Sequence, residues 1–377
     1  MNIQRVLDIE ASLEKKACFL YGRRQTGKTW LIRHTLSAYR TYNLLDSETY
    51  LKLSRTPARL REECTSKDRI VVIDEIQKLP GLLDEVHYLI EEKNIHFLLT
   101  GSSARKLRHG GVNLLGGRAR VKHLYPFIRS ELKDHFDLSR ALNSGLLPSI
   151  YFSDAPDEDL QAYVGTYLKE EIAAEGLTRN IPAFSRFLEV AALCNGQMIN
   201  YTNIANDAQV ARTTIHEYFQ ILKDTLIASE VSAWGKSKKR KPIGTSKFYL
   251  FDPGVTRFLQ NRKTIQSKSP EFGEMFETYL FHELKAYADY RSRGEVCYWR
   301  SLSGFEVDFI LSDSTAIEVK SSSTISPQDL KGLKALQEEK KLKHYVLVCF
   351  EKEPRIVNGI RILPWDLFLE QLWQDKF

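Results

Sequence analysis

The amino-acid sequence predicts an α/β protein in three parts: a parallel-sheet domain at residues 1–136, a helical region at 137–262 and a smaller α/β domain at 263–377. Three observations support this division. A glycine-rich loop separates a strand pattern from a helix pattern near the amino terminus, and a helix-turn-helix pattern occupies the middle. In the last third, two strands with alternating charged residues are joined by a short turn.

The glycine-rich loop, Gly22 to Thr29, has the spacing G-x-x-x-x-G-K-T and lies between a short apolar run and a helical pattern. The two glycines let the backbone curl so that its N–H groups point inward, and the helix start adds partial positive charge. This predicts a nucleotide site in which Lys28 binds the β- and γ-phosphates and Thr29 binds Mg²⁺. The rest of the cradle is predicted to be Gly22, Arg23, Arg24, Gln25, Thr26 and Gly27.

A β-branched run, residues 69–75, ends in the carboxylates Asp74 and Glu75. A fully buried strand of a parallel sheet has this composition, and its carboxyl end should lie beside the phosphate loop. We therefore expect Asp74 to hold Mg²⁺ through water and Glu75 to polarise the water that attacks the γ-phosphate.

The same alternation continues with a strand predicted at 41–46, a helix at 81–93 and a strand at 95–103. A hydroxyl at the end of the last strand can position the attacking water. The candidates are Thr100, Ser102 and Ser103, of which Ser102 is favoured. The alternative is an ordinary Ser/Gly turn without a catalytic role.

The segment 110–120 is rich in glycine and carries Arg118. An arginine that reaches the γ-phosphate of a neighbouring subunit stabilises the charge of the transition state, and this role predicts a homo-oligomer. The alternative is a surface arginine that pairs with a carboxylate.

The segments GRRQTGKT, VVIDEIQKLP, LLTGSSARKL, GGRA and LYPFIRSEL resemble a family of bacterial and archaeal AAA+ ATPases. Members carry a carboxy-terminal region related to PD-(D/E)XK nucleases, and the resemblance covers nearly the whole chain. It implies that Lys28, Thr29, Asp74 and Glu75 bind and hydrolyse ATP with Mg²⁺. One departure, Ile128-Arg129, affects no catalytic position.

Composition limits the class of protein. The chain has 377 residues, of which 43% are hydrophobic and 27% charged, as in soluble globular proteins. Its net charge of +6 is compatible with nucleic acid but too small to establish it. The five cysteines form no C-x-x-C pair, so neither a zinc site nor a disulfide framework is predicted. Without a signal-peptide pattern or a run of about 18 apolar residues, a cytoplasmic protein without a membrane partner is expected.

The middle region has helix patterns at 158–174 and 183–194, followed by a short helix, a turn near Gln209 and a longer helix. Arg212 and Thr213 start the longer helix, whose polar face suits a recognition helix in a DNA groove.

A basic cluster lies between strand patterns at 226–234 and 247–251, as the tip of a winged helix would. Its cations are expected to neutralise phosphates of DNA or RNA. They are Lys236, Lys238, Lys239, Arg240 and Lys241. Two alternatives remain open, because winged helices also bind proteins and a charge run can be a solvated loop.

In the last third, strands predicted at 304–311 and 316–320 pair Asp308 with Glu318 across a three-residue turn. Alternation then puts Asp308, Glu318 and Lys320 on one face. This is the D-x(n)-E-x-K arrangement of PD-(D/E)XK nucleases, in which the carboxylates bind Mg²⁺ and the lysine orients or deprotonates a water. By resemblance, Glu277 is the further acid, with Glu283 as its alternative.

Two functions fit the sequence. The first is an ATP-driven enzyme that acts on nucleic acid and includes a metal-dependent nuclease. The second is a nucleotide-dependent switch whose nuclease-like and winged-helix parts bind a partner and cut nothing.

Overall fold

The computed structural model describes residues 3–102, 115–168 and 180–377, with the backbone alone at 166–168. Ser103, the glycine-rich segment 110–114 and the end of the helix predicted at 158–174 lie outside the described residues. The chain divides into two compact units: Met1–Pro126 with Asp224–Leu226, and Phe127–Lys223 with Ile227–Phe377. The three-part division stays a prediction.

The first unit is built on a five-stranded sheet in the order β2-β3-β4-β1-β5, in which every pair is parallel. The strands are β1 (Ala17–Tyr21), β2 (Arg40–Asn43), β3 (Ile70–Asp74), β4 (His96–Gly101) and β5 (Ala119–His123). Every residue of β1 and β3 is buried, as expected for strands of a parallel sheet with both faces covered. The parallel-sheet class predicted for this region is therefore confirmed.

Helix α1 (Ile9–Leu13) precedes the first strand, and the connections between strands contain α2 (Lys28–Thr35), α3 (Ser47–Arg55), α4 (Arg59–Glu63) and α5 (Leu82–Lys93). One-turn 3₁₀ helices occur at Ile76–Lys78 and Leu115–Gly117. The strand predicted at 41–46 ends earlier, at Asn43, because Asp46 caps α3 and its carboxylate accepts a hydrogen bond from the Thr49 amide.

The second unit begins with short helices, α6 (Arg129–Leu132), α7 (Leu138–Ser144), α8 (Pro148–Tyr151) and α9 (Pro156–Ala162), with a 3₁₀ turn at Lys133–His135 and a π-helical turn at Tyr163–Leu168. The helix predicted from 158 therefore starts two residues earlier and changes its hydrogen-bond pattern at Tyr163.

Next come α10 (Ile181–Leu193), α11 (Tyr201–Ala208), α12 (Arg212–Asp224), the antiparallel strands β6 (Ala228–Val231) and β7 (Lys247–Leu250), and α13 (Pro253–Leu259). The predicted turn is confirmed at Gln209, whose φ of 53° is left-handed. Phe184, Phe187, Tyr218 and Phe219 pack their rings together between α10 and α12. The winged-helix assignment itself stays a prediction.

A second sheet of six strands follows, in the order β12-β13-β11-β10-β9-β8. Its strands are β8 (Val296–Arg300), β9 (Glu306–Leu311), β10 (Thr315–Val319), β11 (His344–Cys349), β12 (Arg355–Val357) and β13 (Ile360–Pro364). The associated helices are α14 (Pro270–Tyr290), α15 (Lys331–Gln337) and α16 (Trp365–Trp373).

The β9–β10 hairpin has the register expected from the sequence. Thr315 pairs with Leu311 and Ile317 with Phe309. Glu318 and Asp308 are the next residues along the two strands, and the Asp308 carboxylate accepts from the Val319 amide at 2.8 Å. The three residues 312–314 form the turn. The predicted hairpin and its three-residue turn are therefore confirmed, whereas the pairing of Asp308 with Glu318 stays a prediction.

Buried polar side chains connect the segments of the second unit. Asn195 donates its side-chain amide to Thr278 Oγ1 on α14 at 2.8 Å and accepts from the Leu250 amide at 2.8 Å. Asp252, only 1% exposed, caps α13 by accepting from the Val255 amide at 3.0 Å and also accepts from the Leu146 amide at 2.7 Å. These bonds fix β7 and α13 against neighbouring elements.

Asp252→Ala should lower the stability of the second unit by about 3 kcal/mol, because it leaves two buried amide donors without their acceptor. Urea unfolding followed by tryptophan fluorescence tests this, since Trp234, Trp299, Trp365 and Trp373 lie in the second unit. The matched control is Asp137→Ala, an exposed cap on the Arg140 amide, expected to cost about 1 kcal/mol. Equal losses in the two variants would contradict the prediction.

Candidate functional sites

The predicted phosphate loop joins the end of β1 to the start of α2. Gln25 and Gly27 have left-handed φ values of 62° and 93°, and Gly27 is the residue that precedes the first turn of α2. The Lys28 side chain is buried and folds back over the loop, where its ammonium group donates to the Gly22 carbonyl and, at 3.1 Å, to the Arg23 carbonyl. The lysine thus lies at the concave side of the curled backbone.

A side chain at Gly22 would not fit this loop. A Cβ atom there would lie 2.8 Å from the Leu124 carbonyl oxygen and 3.0 Å from Thr26 Oγ1. Glycine is therefore required by the close approach of two backbone segments, which the loop motif alone does not reveal.

Polar side chains from three neighbouring segments meet at the carboxyl edge of the sheet. Thr29 Oγ1 donates to Asp74 Oδ2 at 3.4 Å. Thr100 Oγ1 donates to the other Asp74 oxygen and accepts from the Glu75 amide at 3.2 Å. Thr29, Asp74 and Thr100 therefore form one continuous set of contacts beside the phosphate loop.

Of the two candidate hydroxyls that the structure describes at the end of β4, the one that contacts Asp74 is that of Thr100 rather than that of the favoured Ser102. The register of β3 and β4 aligns Ile73 with Leu99, which places the next residues, Asp74 and Thr100, side by side. Ser102 lies beyond the end of β4 and is buried. A water-positioning role for Ser102 stays a prediction, and Thr100 is the described candidate that contacts the Asp74 carboxylate and the Glu75 amide.

Glu75 follows β3 in a left-handed conformation, with φ 62°, and is partly exposed. Its carboxylate accepts a hydrogen bond from the side-chain amide of Gln77. The left-handed turn directs the chain away from the strand immediately after the carboxylate pair, so Glu75 and Asp74 face different surroundings.

Arg118 lies at the amino-terminal end of the strands, whereas the phosphate loop lies at their carboxyl-terminal end. It precedes β5, which pairs in parallel with β1 from Ala17 and Ala119 onward, whereas the loop follows the far end of β1. The guanidinium pairs with Glu91 on α5 and lowers the pKa of that carboxylate. This is the surface pairing that the sequence left open, and the finger role and the homo-oligomer it implies stay predictions.

The second unit contains a group of charged side chains that we call the acid–lysine cluster: Glu277, Asp308, Glu318, Lys320 and Lys247. The Lys320 ammonium lies 2.6 Å from Glu318 Oε1, and Asp308 Oδ2 accepts from the Val319 amide at 2.8 Å. Glu277 accepts a hydrogen bond from the Tyr249 hydroxyl. All four residues predicted for this site are therefore in one neighbourhood of the second sheet.

Lys247 is the member of the cluster that sequence reasoning missed. Its side chain is 6% exposed and lies 2.7 Å from Glu306 and 3.9 Å from Glu277. Burial lowers the pKa of Lys247, but Glu277, Asp308 and Glu306 outweigh that effect and raise the pKa above its usual value. A lysine at the start of an otherwise apolar strand, KFYL, was the available signal.

Burial is the main cause of the pKa shifts of two carboxylates in the cluster, Glu277 and Glu318. It raises the pKa of Glu277 to about 7, with Asp308 adding to the shift while Lys247 and the Tyr249 hydroxyl oppose it. Burial also raises the pKa of Glu318 well above its usual range, again with Asp308 adding and Lys320 opposing. The group is thus crowded with negative charge that the two lysines only partly offset.

A cavity of about 400 Å³ opens beside the cluster. Glu277, Lys320 and Ser321 line it from the sheet and α14, and Asn195 and Gln197 line it from the segment after α10. The helical part of the second unit therefore contributes polar groups to the same space as the predicted catalytic residues.

Glu283, the alternative to Glu277, occupies a different environment. Its carboxylate is fully buried and accepts from the Arg129 amide at 2.6 Å, the Tyr279 hydroxyl at 3.1 Å and the Trp373 indole at 3.1 Å. Burial raises the pKa of Glu283 to about 7. These contacts serve packing around α14, and Glu277 is the acid that lies with Asp308.

Within residues 3–102, 115–168 and 180–377, no group of three or more His, Cys, Asp or Glu side chains is arranged to hold a metal ion. One observation nevertheless favours a cation at the second sheet. Glu318, 8% exposed, has one carboxylate oxygen, Oε2, that is buried and has no hydrogen-bond partner among the described residues.

The basic cluster at 236–241, which we call the basic loop, is docked against the second sheet and α15 rather than projecting freely as a wing tip. The Glu339 carboxylate accepts from the amides of Lys238, Lys239 and Arg240, at 2.8 to 3.1 Å, and from the Ser237 hydroxyl at 2.8 Å. Burial raises the pKa of Glu339, but these donors outweigh it and lower the pKa to about 2.

Some of the cations predicted to contact phosphates are exposed, whereas others are paired with groups of the protein. Arg240 donates to the Ala335 carbonyl at 2.9 Å and to Glu338 at 2.8 Å, and Lys236 pairs with Asp313 at 2.7 Å. The side chains of Lys238, Lys239 and Lys241 are exposed. On α12, Arg212 and Thr213 are also exposed, as expected for the polar face of that helix.

Within the described residues, no helix combines the length and apolar character needed to cross a membrane.

Three family models match successive parts of the chain. Residues 14–133 match an AAA domain, residues 135–266 match a domain of unknown function, DUF8612, and residues 272–368 match a second one, DUF4143. The first match supports a P-loop ATPase domain. The other two carry no assignment of winged-helix or nuclease character.

Among related sequences, an uncharacterized protein of Mycobacterium tuberculosis is 25% identical over 323 residues, which cover 81% of this chain and 70% of the relative. An uncharacterized protein of Methanocaldococcus jannaschii is 22% identical over 94% of this chain and 85% of the relative. The similarity therefore extends through both units.

Two solved structures show a distant likeness. The replication initiator DnaA bound to AMPPCP and single-stranded DNA is 13% identical, with a TM-score of 0.30, covering 59% of this chain and 90% of that one. Domain III of Thermotoga maritima DnaA is 12% identical, with a TM-score of 0.24, covering 59% and 94%. Scores this low carry no argument about the function of this chain.

Glu339→Gln should loosen the basic loop at neutral pH, because a neutral amide with one acceptor oxygen replaces a carboxylate bound by successive amides. Hydrogen exchange at Lys238, Lys239 and Arg240 should be faster in the variant than in the wild type. Because the folded-state pKa lies below the usual value of 4.5, the wild-type advantage should be complete above that pH and disappear as the pH falls through about 2.

The control for this prediction is Glu353→Gln, which alters an exposed carboxylate in the same unit. Exchange of the loop amides in the control should match that of the wild type at each pH. A difference between Glu339→Gln and wild type that persisted unchanged from neutral pH to about pH 2 would contradict the assignment of these amides to the Glu339 carboxylate.

Proposed function

We propose that this protein binds ATP at residues 22–29 and hydrolyses it with the polar groups at the carboxyl edge of the first sheet. The match of residues 14–133 to an AAA domain supports the ATPase class. The observation that carries the proposal is the continuous contact from Thr29 through Asp74 to Thr100 beside the loop that contains Lys28.

The residues present fit a magnesium nucleotide. Gly22 permits the close approach of the Leu124 carbonyl that shapes the loop, and Lys28 already holds an ammonium group over the loop. The oxygens of Thr29 and Asp74 lie together as the hard ligands that Mg²⁺ prefers, the latter acting through water. Bound Mg²⁺ supplies positive charge that offsets the charge of the phosphate oxygens.

Each side chain then has a separate task. Lys28 exchanges its carbonyl contacts for phosphate oxygens, and Glu75 orients the attacking water and accepts its proton. Thr100 holds both the Asp74 carboxylate and the Glu75 amide, so it fixes the carboxylate pair relative to the loop. Hydrolysis in this arrangement depends on positions set by three different strands.

Lys28→Ala should abolish steady-state ATP hydrolysis, and Glu75→Gln should retain ATP binding while lowering turnover at least about 100-fold. Phosphate release and ATP titration by calorimetry measure the two effects. The matched control is Lys67→Ala, which removes an exposed lysine in the same unit and should leave turnover unchanged. Turnover retained by purified, folded Lys28→Ala would refute the ATPase site.

For the second unit, we propose contact with DNA through α12 and the basic loop. Exposed Arg212 and Thr213 on the polar face of α12 support this, together with the exposed ammonium groups of Lys238, Lys239 and Lys241. Docking of the loop by Glu339 holds these lysines on a fixed backbone, which favours backbone-phosphate contacts independent of base sequence.

A metal-dependent nuclease is the further activity proposed for the acid–lysine cluster. The unpartnered Glu318 oxygen supports it, since Asp308 lies across the hairpin and a divalent cation would satisfy both carboxylates. In this proposal Lys320, 2.6 Å from Glu318, orients a water, and Glu277, which lines the adjoining cavity, is the further acid. Bound Mg²⁺ would stabilise charge on a scissile phosphate.

The alternative is a nucleotide-dependent switch in which the second unit binds a partner and cuts nothing. Two observations favour it: the described residues provide no cluster of three metal-ligating side chains, and Lys247 and Lys320 already contact the acidic groups. The two proposals share the ATP site. They differ in whether the second unit cleaves nucleic acid at the acid–lysine cluster or only binds a partner.

Incubation with labelled single-stranded, duplex and branched DNA, with Mg²⁺ or Mn²⁺ and with or without ATP, separates these proposals. Cleavage should occur with wild type and be lost at least about 100-fold in Asp308→Ala, because the variant removes a predicted metal ligand. The matched control is Asp366→Ala, an exposed aspartate at the start of α16. Equal cleavage by wild type and Asp308→Ala would contradict the nuclease site, and DNA binding without cleavage would favour the switch.

A further inference from the structure

Arg5 connects the phosphate loop to the segment through which the chain leaves the first sheet. One guanidinium nitrogen, Nη1, donates to the Thr26 carbonyl at 2.7 Å, and the other, Nη2, donates to the Tyr125 carbonyl at 2.6 Å. A longer contact of 3.5 Å joins Nη2 to the Pro126 carbonyl. All of these residues belong to the first unit.

The burial of Arg5 makes these contacts obligatory. The residue is only 8% exposed, and a guanidinium keeps its charge at every accessible pH. A buried cation must find acceptors, and its planar fork can hold two carbonyls in fixed directions at once. A side chain with a single donor atom cannot hold both segments in the same way.

The contact with Thr26 controls the direction of the next peptide N–H group. In a trans peptide the carbonyl of one residue and the amide of the following residue point in opposite directions, and the described chain contains no cis peptide bond. The Thr26 carbonyl and the Gly27 amide share such a peptide. By holding the carbonyl, Arg5 sets where the Gly27 amide points at the start of α2.

The contact with Tyr125 fixes the exit segment, residues 124–126, that follows β5. This segment also touches the loop directly, since the Leu124 amide donates to the Tyr21 carbonyl at 2.7 Å and the Leu124 carbonyl closes on Gly22. The boundary between the two units falls immediately after Pro126. The phosphate loop and the exit segment are therefore connected twice: through Arg5, and directly through Leu124.

We propose that Arg5 is a positioning residue that links nucleotide occupancy of the phosphate loop to the conformation of the exit segment, an inference that rests on the proposed function of the loop. Phosphate drawn to the Gly27 amide turns the shared peptide plane, and the Thr26 carbonyl moves with it. The guanidinium follows its acceptor and transmits the displacement to Tyr125.

Hydrogen exchange of the full chain, with and without saturating ADP, tests the link. In wild type, ADP should slow exchange at residues 22–29 and at Leu124 and Tyr125. In Arg5→Ala, protection should remain at the loop but be lost at the exit segment, and ADP should bind about tenfold more weakly, because a charge-assisted hydrogen bond is lost. Arg5→Lys should fall between the two, since one ammonium group reaches only one carbonyl.

The matched control is Arg55→Ala, an exposed arginine at the end of α3, which should behave as wild type. The proposal is overturned if Arg5→Ala keeps ADP-dependent protection at Leu124 and Tyr125. A rise in exchange spread evenly over the first unit would show a purely structural role and would overturn it as well.

Failure of the proposed nucleotide site gives a different result from failure of the Arg5 link. If wild type binds neither ADP nor ATP in calorimetry, the nucleotide site itself is wrong. The nucleotide-free protein still tests the mechanical connection: Arg5→Ala should speed exchange in both the loop and the exit segment. Faster exchange in only one of them, or in neither, would overturn the link.

Discussion

The parallel direction of the first sheet determines where its polar side chains meet. Because β1, β3 and β4 run the same way, their carboxyl ends lie at one edge, and residues distant in sequence become neighbours there. Asp74 therefore contacts Thr100 at the end of β4 and Thr29 in the helix that follows β1. If any one strand ran in the opposite direction, its polar residues would lie at the other end of the strands, where Arg118 lies.

Sequence patterns were sufficient where a contact depends on residues close together in the chain. The β9–β10 register followed from alternation and a short turn, and it leaves Asp308 and Glu318 as the residues immediately beyond the last pair, Phe309 with Ile317. The register between β3 and β4 could not be obtained in this way, because it is set by packing across a connection that includes α5. As a result, Thr100 was not preferred over Ser102, although both were recognised as candidates.

Contacts between charged groups far apart in the sequence also could not be predicted from sequence patterns. The basic loop was recognised from its composition, but its acceptor, Glu339, is about 100 residues away and belongs to an ordinary charged run. Lys247 presents the same difficulty, because its acidic partners lie on α14 and β9. Such contacts exist only once two separately formed elements have packed together, and no local periodicity encodes them.

The chain on either side of the basic loop also covers the outer side of β8, the last strand of the second sheet. The Trp234 amide donates to the Tyr298 carbonyl at 2.6 Å, the Tyr298 amide donates to Ser232 at 3.1 Å, and the Ile243 amide donates to Arg300 at 2.8 Å. An uncovered sheet edge offers its backbone groups to strands of other molecules. The same segment that carries the lysines therefore protects this protein from edge-to-edge aggregation. A shortened loop would lower the solubility of the protein as well as remove exposed cations.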